Sequence, residues 1–258
     1  MDNNRKYVNT TMSRVDHVYE DLRRAIISGE LAPNSWIRPR DLSYQYDVSY
    51  IPIREAMRKL ESERLIVYAR NRGARVAPVI EDEVRDLFDT RIVLETDALR
   101  RSLSVLRPAD IAAMWAVREA MLDSIARGDS RSHELHRKLH MSLYEAVKSP
   151  WLDGLIELLW DHSERYRRLL SQKGLFYDQG DVRHKALLEA VSAVDFDAAA
   201  AALRRDLERG RDDMISMLRQ DRLGVVTDAS THGSADVEAD ATPSADAAAT
   251  VAALADRR

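Results

Sequence analysis

His136 and His140 stand four residues apart in a helically periodic run, so both rings leave the same face of one helix. Leu139, Leu143 and Val147 share that face, which turns it toward a core. His184 falls in register with Leu187, Leu188 and Val191, and Asp206 lies beside Ala202, Leu203 and Gly210. Three imidazoles and a carboxylate on inward faces of three helices can converge at the centre of a bundle. Such a set suits a divalent ion (Zn, Ni, Mn or Fe), and the chain has no cysteine to offer thiolate. The same residues can equally be core or pocket histidines hydrogen-bonded to their neighbours; spacing leaves both readings open. Arg91, near Leu87 and Leu94, could clamp a ligand carboxylate with its planar fork or close an i,i+4 ion pair with Glu95. His162 shares a stripe with Leu155, Leu158, Leu159, Tyr166 and Leu169, where it could line a cavity at the bundle centre or sit satisfied in the core. Trp115, Trp151 and Trp160 read as core aromatics, and His17, His133 and His232 as surface residues.

A second stretch suits nucleic acid. In Val48–Leu60, Ser49 is a helix-capping residue type, and Ile53, Met57 and Leu60 recur at i, i+4, i+7 as one apolar stripe. Arg54, Arg58 and Lys59 fall off the stripe and face outward, as in a helix that enters a DNA major groove; a plain surface helix has the same pattern. Residues 40–47 supply a preceding short helix with Leu42 and Tyr46 on one face, and Asp47 and Val48 make the turn. Val15 to Ile27 form an amphipathic helix stopped by Gly29. Leu65–Arg70, the turn at Asn71-Arg72-Gly73, and Ala74–Val79 read as a β-hairpin with Arg70, Arg72 and Arg75 on it.

These elements sit in a chain of 258 residues, 45% hydrophobic, which suits two domains. No apolar run approaches a membrane span and no signal sequence is visible, so a soluble cytoplasmic protein is expected, with no membrane partner. The net charge of −4 argues against nucleic acid, but its distribution does not. Residues 1–79 carry 14 Lys+Arg against 10 Asp+Glu, whereas residues 224–258 carry 2 against 6. Local charge governs phosphate contact.

The string Ser49-x-x-Pro52-Ile53-Arg54-Glu55-Ala56-Met57-x-x-Leu60 resembles the recognition helix of GntR-superfamily transcription factors. Ile27-x-Gly29-x-Leu31-x-Pro33, Glu63-Arg64-Leu65-Ile66 and Arg72-Gly73-x-Arg75-Val76 follow the same family order. Arg91-x-x-x-Glu95, the 136–140 pair, and His184 leading to Asp195-Phe196-Asp197-x-Ala199 are similar to the ligand-binding FCD domain of the FadR-type subfamily. Many such domains hold a metal with one Asp and three His, and the ion's open positions take a small carboxylate. The spacings match here, but His136 stands where the family has Asp and Asp206 where it has His. By resemblance, Arg40, Ser49, Tyr50, Ile51, Arg54, Arg58, Arg72 and Gly73 approach DNA. Tyr50 and Ile51 replace the family's usual Arg and Thr, so the operator should differ from those of Arg-bearing relatives.

The sequence therefore predicts a mainly α protein. A flexible arm (1–12) precedes a winged helix-turn-helix (13–79) of three helices plus a β-hairpin. An all-α effector-binding and dimerisation domain (81–220) follows, with helices at 81–103, 108–127, 131–148, 151–172, 180–193 and 195–218, then a disordered acidic tail (221–258). The expected function is a ligand-responsive homodimeric regulator, a repressor, of palindromic operator DNA. Its metal ligands are His136, His140, His184 and Asp206, and Arg91 and His162 touch the carboxylate effector. A metal-dependent enzyme using the same cluster is the rival reading.

Overall fold

The computed structural model describes residues 13–69, 73–129, 131–172 and 180–221, which form two compact units meeting in sequence between Pro78 and Val79. The arm expected over 1–12, the wing-tip residues Arg70 and Arg72, His232 and the tail from 222 onward lie outside the described residues.

In the first unit, α1 (Arg14–Ser28) starts where Ser13 accepts the Asp16 N–H at 3.1 Å and ends at Gly29, whose φ of 80° is left-handed. Its buried face, Val18, Leu22, Ala25 and Ile26, packs on Ile53, Ala56, Met57 and Leu60 of α3 (Tyr50–Ser62). Polar clamps tie the same two helices: Arg23 Nε reaches Glu63 at 2.9 Å and Lys59 Nζ reaches Asp16 at 2.6 Å. Between them α2 (Pro39–Gln45) opens on proline, where a missing N–H costs nothing, and buries Leu42; Asp47, at φ 49°, turns the chain into α3.

The expected hairpin is present as β2 (Ile66–Ala69) and β3 (Gly73–Val76), but a third strand, β1 (Trp36–Ile37), pairs with β3 on its other side. Two residues are too few to leave a period-2 signal. β3 is thus central, with Ala74 paired to both Ile37 and Tyr68. Gly73 has a φ of +94°, and a Cβ there would lie 3.3 Å from the Ile37 carbonyl oxygen. Gly73→Ala is therefore expected to destabilise this unit by about 1–2 kcal/mol, the usual cost of a left-handed L-residue. Faster hydrogen exchange at the Ala74 and Val76 amides is the readout.

The second unit is helical throughout its described residues: α4 (Glu81–Leu103), α5 (Pro108–Ala126), α6 (Ser132–Tyr144), α7 (Pro150–Gln172), α8 (Gly180–Ser192) and α9 (Phe196–Asp221). Proline opens α5 and α7, and Asp110 accepts the backbone N–H of Arg107 to close a capping box at α5. α4 is the central element, in contact with α6, α7 and α9, through Leu87, Phe88, Ile92 and Leu99. Two expectations are corrected here. The α-helix of the histidine pair ends at Tyr144, one turn early, because Glu145–Val147 tighten into a 3-10 turn and Lys148 adopts a φ of 50°. Trp151 is no core aromatic: at the first turn of α7 it is 86% exposed. None of the described helices is long and apolar enough to cross a membrane.

Candidate functional site

Five helices of the second unit bring their inward polar residues to one place. α4 contributes Arg91, α6 contributes His136 and His140, α7 contributes Trp160, Ser163 and Arg167, α8 contributes Arg183 and His184, and α9 contributes Asp206. One ring nitrogen from each of His136, His140 and His184 lies within 4.8 Å of the other two. His140 Nε2 is 3.3 Å from His184 Nε2. Asp206 Oδ2 is 3.5 Å from the first of these nitrogens and 3.9 Å from the second. The cavity beside them encloses about 70 Å³ among the described residues, far below the roughly 300–1,000 Å³ of sites for drug-sized ligands. A small acid suits that volume.

The donor set fits a divalent metal in its geometry. Two nitrogens at about 2.0–2.1 Å from one tetrahedral zinc are about 3.3 Å apart, which is the His140–His184 separation. Asp206 keeps its other oxygen, Oδ1, 3.3 Å from Arg183 Nε, as a ligating carboxylate oriented by an outer cation would. His140 and His184 are buried and their Nδ1 atoms have no partner among the described residues, so both rings lack the usual outer-shell acceptor. Burial first, then the charge of Arg167, holds His136 well below the ordinary imidazole range; burial and His184 do the same to His140. Neutral rings are what ligation needs.

Arg91 forms the i,i+4 ion pair with Glu95. Its Nε donates to Glu95 Oε1 at 2.6 Å and its Nη1 to Ser163 Oγ at 2.9 Å. Nη2 is buried, has no partner among the described residues, and belongs to a side chain lining the cavity. The guanidinium carbon lies over the Trp160 ring, 4.3 Å from its centroid. Glu95 also accepts from Tyr144 at 2.7 Å, and burial followed by Glu95 raises the Tyr144 hydroxyl well above its ordinary range.

His162 is a correction. It does not line the cavity, because Trp160, Ser163 and Arg167, at i, i+3 and i+7, form the facing stripe of α7 and His162 falls off it. His133 is likewise no surface histidine; its ring lies 3.5 Å from Glu164. Ser163, Arg167 and Arg183 were missed by the sequence reading. Arg167 carried one usable signal, a cation seven residues after Trp160 and therefore on the same face of α7.

On the first unit, Arg40, Arg54 and Arg58 are exposed, as are Tyr44, Tyr50 and Ile51. Arg40, Tyr44, Asp47, Ser49 and Tyr50 border an open cleft where α2 meets α3. Ser49 occupies the N-cap position of α3 in extended conformation, but its side chain makes no capping hydrogen bond. The first-turn N–H groups thus lack that acceptor, and a helix N-terminus of this kind suits a phosphate. Gly73 opens β3, and Arg72 lies outside the described residues.

Comparison with known proteins adds the lineage. Residues 14–76 match bacterial regulatory proteins of the gntR family, and residues 86–209 match the FCD domain. The chain is 30% identical over 220 residues to the uncharacterized HTH-type transcriptional regulator BphR of Paraburkholderia xenovorans (strain LB400), covering 81% of this chain and 86% of that one. It is 29% identical over 201 residues to the HTH-type transcriptional repressor GlaR of Escherichia coli (strain K12), covering 73% and 90%. The solved structure of E. coli McbR/YncC superposes with a TM-score of 0.66 at 22% identity, over 82% of this chain and all of that one, a likeness of fold.

Proposed function

The chain belongs to the GntR family of bacterial regulatory proteins and carries an FCD domain, and from that membership we propose that it is a repressor relieved by a small organic acid bound beside a divalent metal ion. It is a ligand-responsive transcriptional regulator; its relatives are regulators, which removes the enzyme reading of the histidine cluster. The observation that carries the proposal is the buried Arg91 Nη2, without a partner among the described residues, on a cavity also lined by His136, His140 and Asp206, with His184 Nε2 3.3 Å from His140 Nε2. A buried cationic donor with no acceptor costs about 1–3 kcal/mol or more, and an effector carboxylate would supply that acceptor.

In this reading Arg91 orients the acid, Ser163 and Glu95 hold Arg91 in place, and Trp160 walls the cavity against water. His140, His184 and Asp206 are the residues that would hold the ion, which when bound supplies positive charge with positions open to an effector oxygen. The winged helix would act as a homodimer in the cytoplasm on palindromic duplex DNA, with half-sites about 10 bp apart. Arg40, Tyr50, Ile51, Arg54, Arg58, Arg72 and Gly73 would face that DNA, with Ser49 at the helix start. A coupling of about 1–3 kcal/mol between the acid and the DNA would change operator affinity about 5- to 150-fold.

The test is elemental analysis of protein purified without a metal-affinity tag. About one divalent ion per chain is expected in the parent, with none in a His140→Ala, His184→Ala double variant of unchanged helical content. An ion-free parent, even after incubation with Zn, Ni, Mn and Fe(II), would remove the metal from the proposal.

A further inference from the structure

We propose that His136 is not a ligand of that ion but a hydrogen-bond donor to the effector, because Arg167 occupies its Nδ1 and leaves Nε2–H as the ring's only free function. The inference rests on the reading that the cluster holds a metal, and it narrows the expected four-ligand set to His140, His184 and Asp206.

Arg167 Nη1 lies 2.6 Å from His136 Nδ1. A guanidinium has five N–H donors and no acceptor, so the imidazole nitrogen facing it must be the lone pair. That contact excludes a proton on Nδ1 and places the ring's one proton on Nε2. A ligand with Nε2 on a metal would need the opposite tautomer, whose Nδ1–H would meet the Arg167 N–H head on. His136 can therefore ligate only if Arg167 lets go.

Arg167 is anchored against that. Its Nε donates to Glu164 Oε2 at 3.0 Å, its Nη2 donates to the same carboxylate, and Nη2 also lies 3.4 Å from the His133 carbonyl oxygen. Glu164 is in turn held by Arg168 at 2.6 Å, and both Arg167 and Glu164 are buried. Although burial opposes its charge, Arg167, His133 and Arg168 keep the Glu164 carboxyl below its usual range, so the pair stays ionised. Withdrawing Arg167 would break a buried, hydrogen-bonded ion pair, which is strongly unfavourable.

The remaining three donors are sufficient. His140 Nε2, His184 Nε2 and Asp206 Oδ2 lie 3.3, 3.5 and 3.9 Å apart, close enough for all three to hold one ion. Two imidazoles and one carboxylate are a set that leaves several coordination positions open. His136 then contributes a neutral donor to a cavity that it lines together with Arg91. His136 and Arg91 both pack on Trp160, with the imidazole centroid 5.4 Å from the indole and the guanidinium carbon 4.3 Å from it. An acid bound there meets donors from both, which favours a small anion with more than one acceptor oxygen.

The test measures zinc and manganese affinity by chelator competition, together with 15N spectra of the full unmutated chain labelled at histidine. His136→Gln and His136→Ala are expected to bind one ion within about threefold of the parent. His140→Ala and Asp206→Ala should weaken it about a hundredfold or more. In the unmutated chain, zinc should move the Nε2 signals of His140 and His184 and leave His136 as the Nε2–H tautomer, while acetate should shift the His136 Nε2–H signal. Loss of metal in both His136 variants equal to that in His140→Ala, or a zinc-bound His136 nitrogen, would overturn the assignment and leave the metal reading standing. A His136 Nε2–H indifferent to acetate would overturn the donor role. A parent that binds neither ion would overturn the metal reading and this inference with it.

Discussion

Replacing Arg91 by methionine is expected to destabilise the helical unit by about 3–5 kcal/mol, the cost of leaving one member of a buried ion pair without its partner. Glu95 is fully buried, and its two oxygens have Arg91 Nε and the Tyr144 hydroxyl as partners. Arg91→Met keeps the stem that packs on Phe88 and Trp160 but leaves the carboxylate with a phenol alone. Because methionine approximates the volume of that stem, little of the loss should come from a cavity. The paired change Arg91→Met, Glu95→Gln removes the stranded charge and keeps an acceptor for Tyr144, so most of the stability should return. Urea unfolding of the two variants measures the difference. If the acid binds as proposed, neither variant should show the parent's thermal shift with small carboxylates, and the paired variant will separate lost binding from lost folding. A loss under about 1 kcal/mol for Arg91→Met would mean that Glu95 finds water or protonates, and that the ion pair is not what holds Arg91 in the cavity.

How much of this could be read beforehand differs between the units. The apolar stripe Ile53, Met57 and Leu60 set the recognition-helix face, and all three are fully buried. Helix limits followed from proline and charge: Pro108, Pro150 and the acidic run at Glu81 mark starts within a residue of those observed. Local signals also brought His140, His184 and Asp206 together, since inward register is a property of each helix alone. Partners across helices were not legible. Arg167 and His136 are 31 residues apart on different helices, and nothing in either sequence neighbourhood says which nitrogen faces the guanidinium. The stripe chosen for α7 followed its leucines and so selected His162, whereas the cavity side carries Ser163 and Arg167, a polar stripe that hydrophobic periodicity cannot see. β1 escaped for a related reason: a two-residue strand exists only because β3 offers it an edge.

DNA binding is expected to collapse with salt. If the protein acts as a dimer that neutralises about 6–10 phosphates, raising salt from about 50 to 200 mM should lower affinity roughly 10³- to 10⁵-fold, because each contact releases condensed counterions. Arg40 on the cleft and Arg54 and Arg58 on the recognition helix are exposed cations, whereas Lys59 of the same helix is paired with Asp16. Each arginine-to-alanine change that removes one phosphate contact per chain should reduce the log–log salt slope by about 1 per chain, or about 2 per dimer, across all sequences. Tyr50 and Ile51 predict a different signature. They are 51% and 68% exposed at the start of α3 and carry no charge, so Tyr50→Ala or Ile51→Ala should leave the slope unchanged. Apolar contact with a thymine methyl, rather than an arginine fork on guanine, is the base contact open to such side chains. These variants should therefore reorder preferences among operators by about 1–3 kcal/mol per affected base pair. Fluorescence anisotropy at several salt concentrations, on an operator selected from a random pool, separates the two classes. A flat salt response would contradict duplex binding by this face and favour a protein partner for the winged helix. A steep response with indifferent Tyr50 and Ile51 variants would keep the DNA and move its reading to the wing.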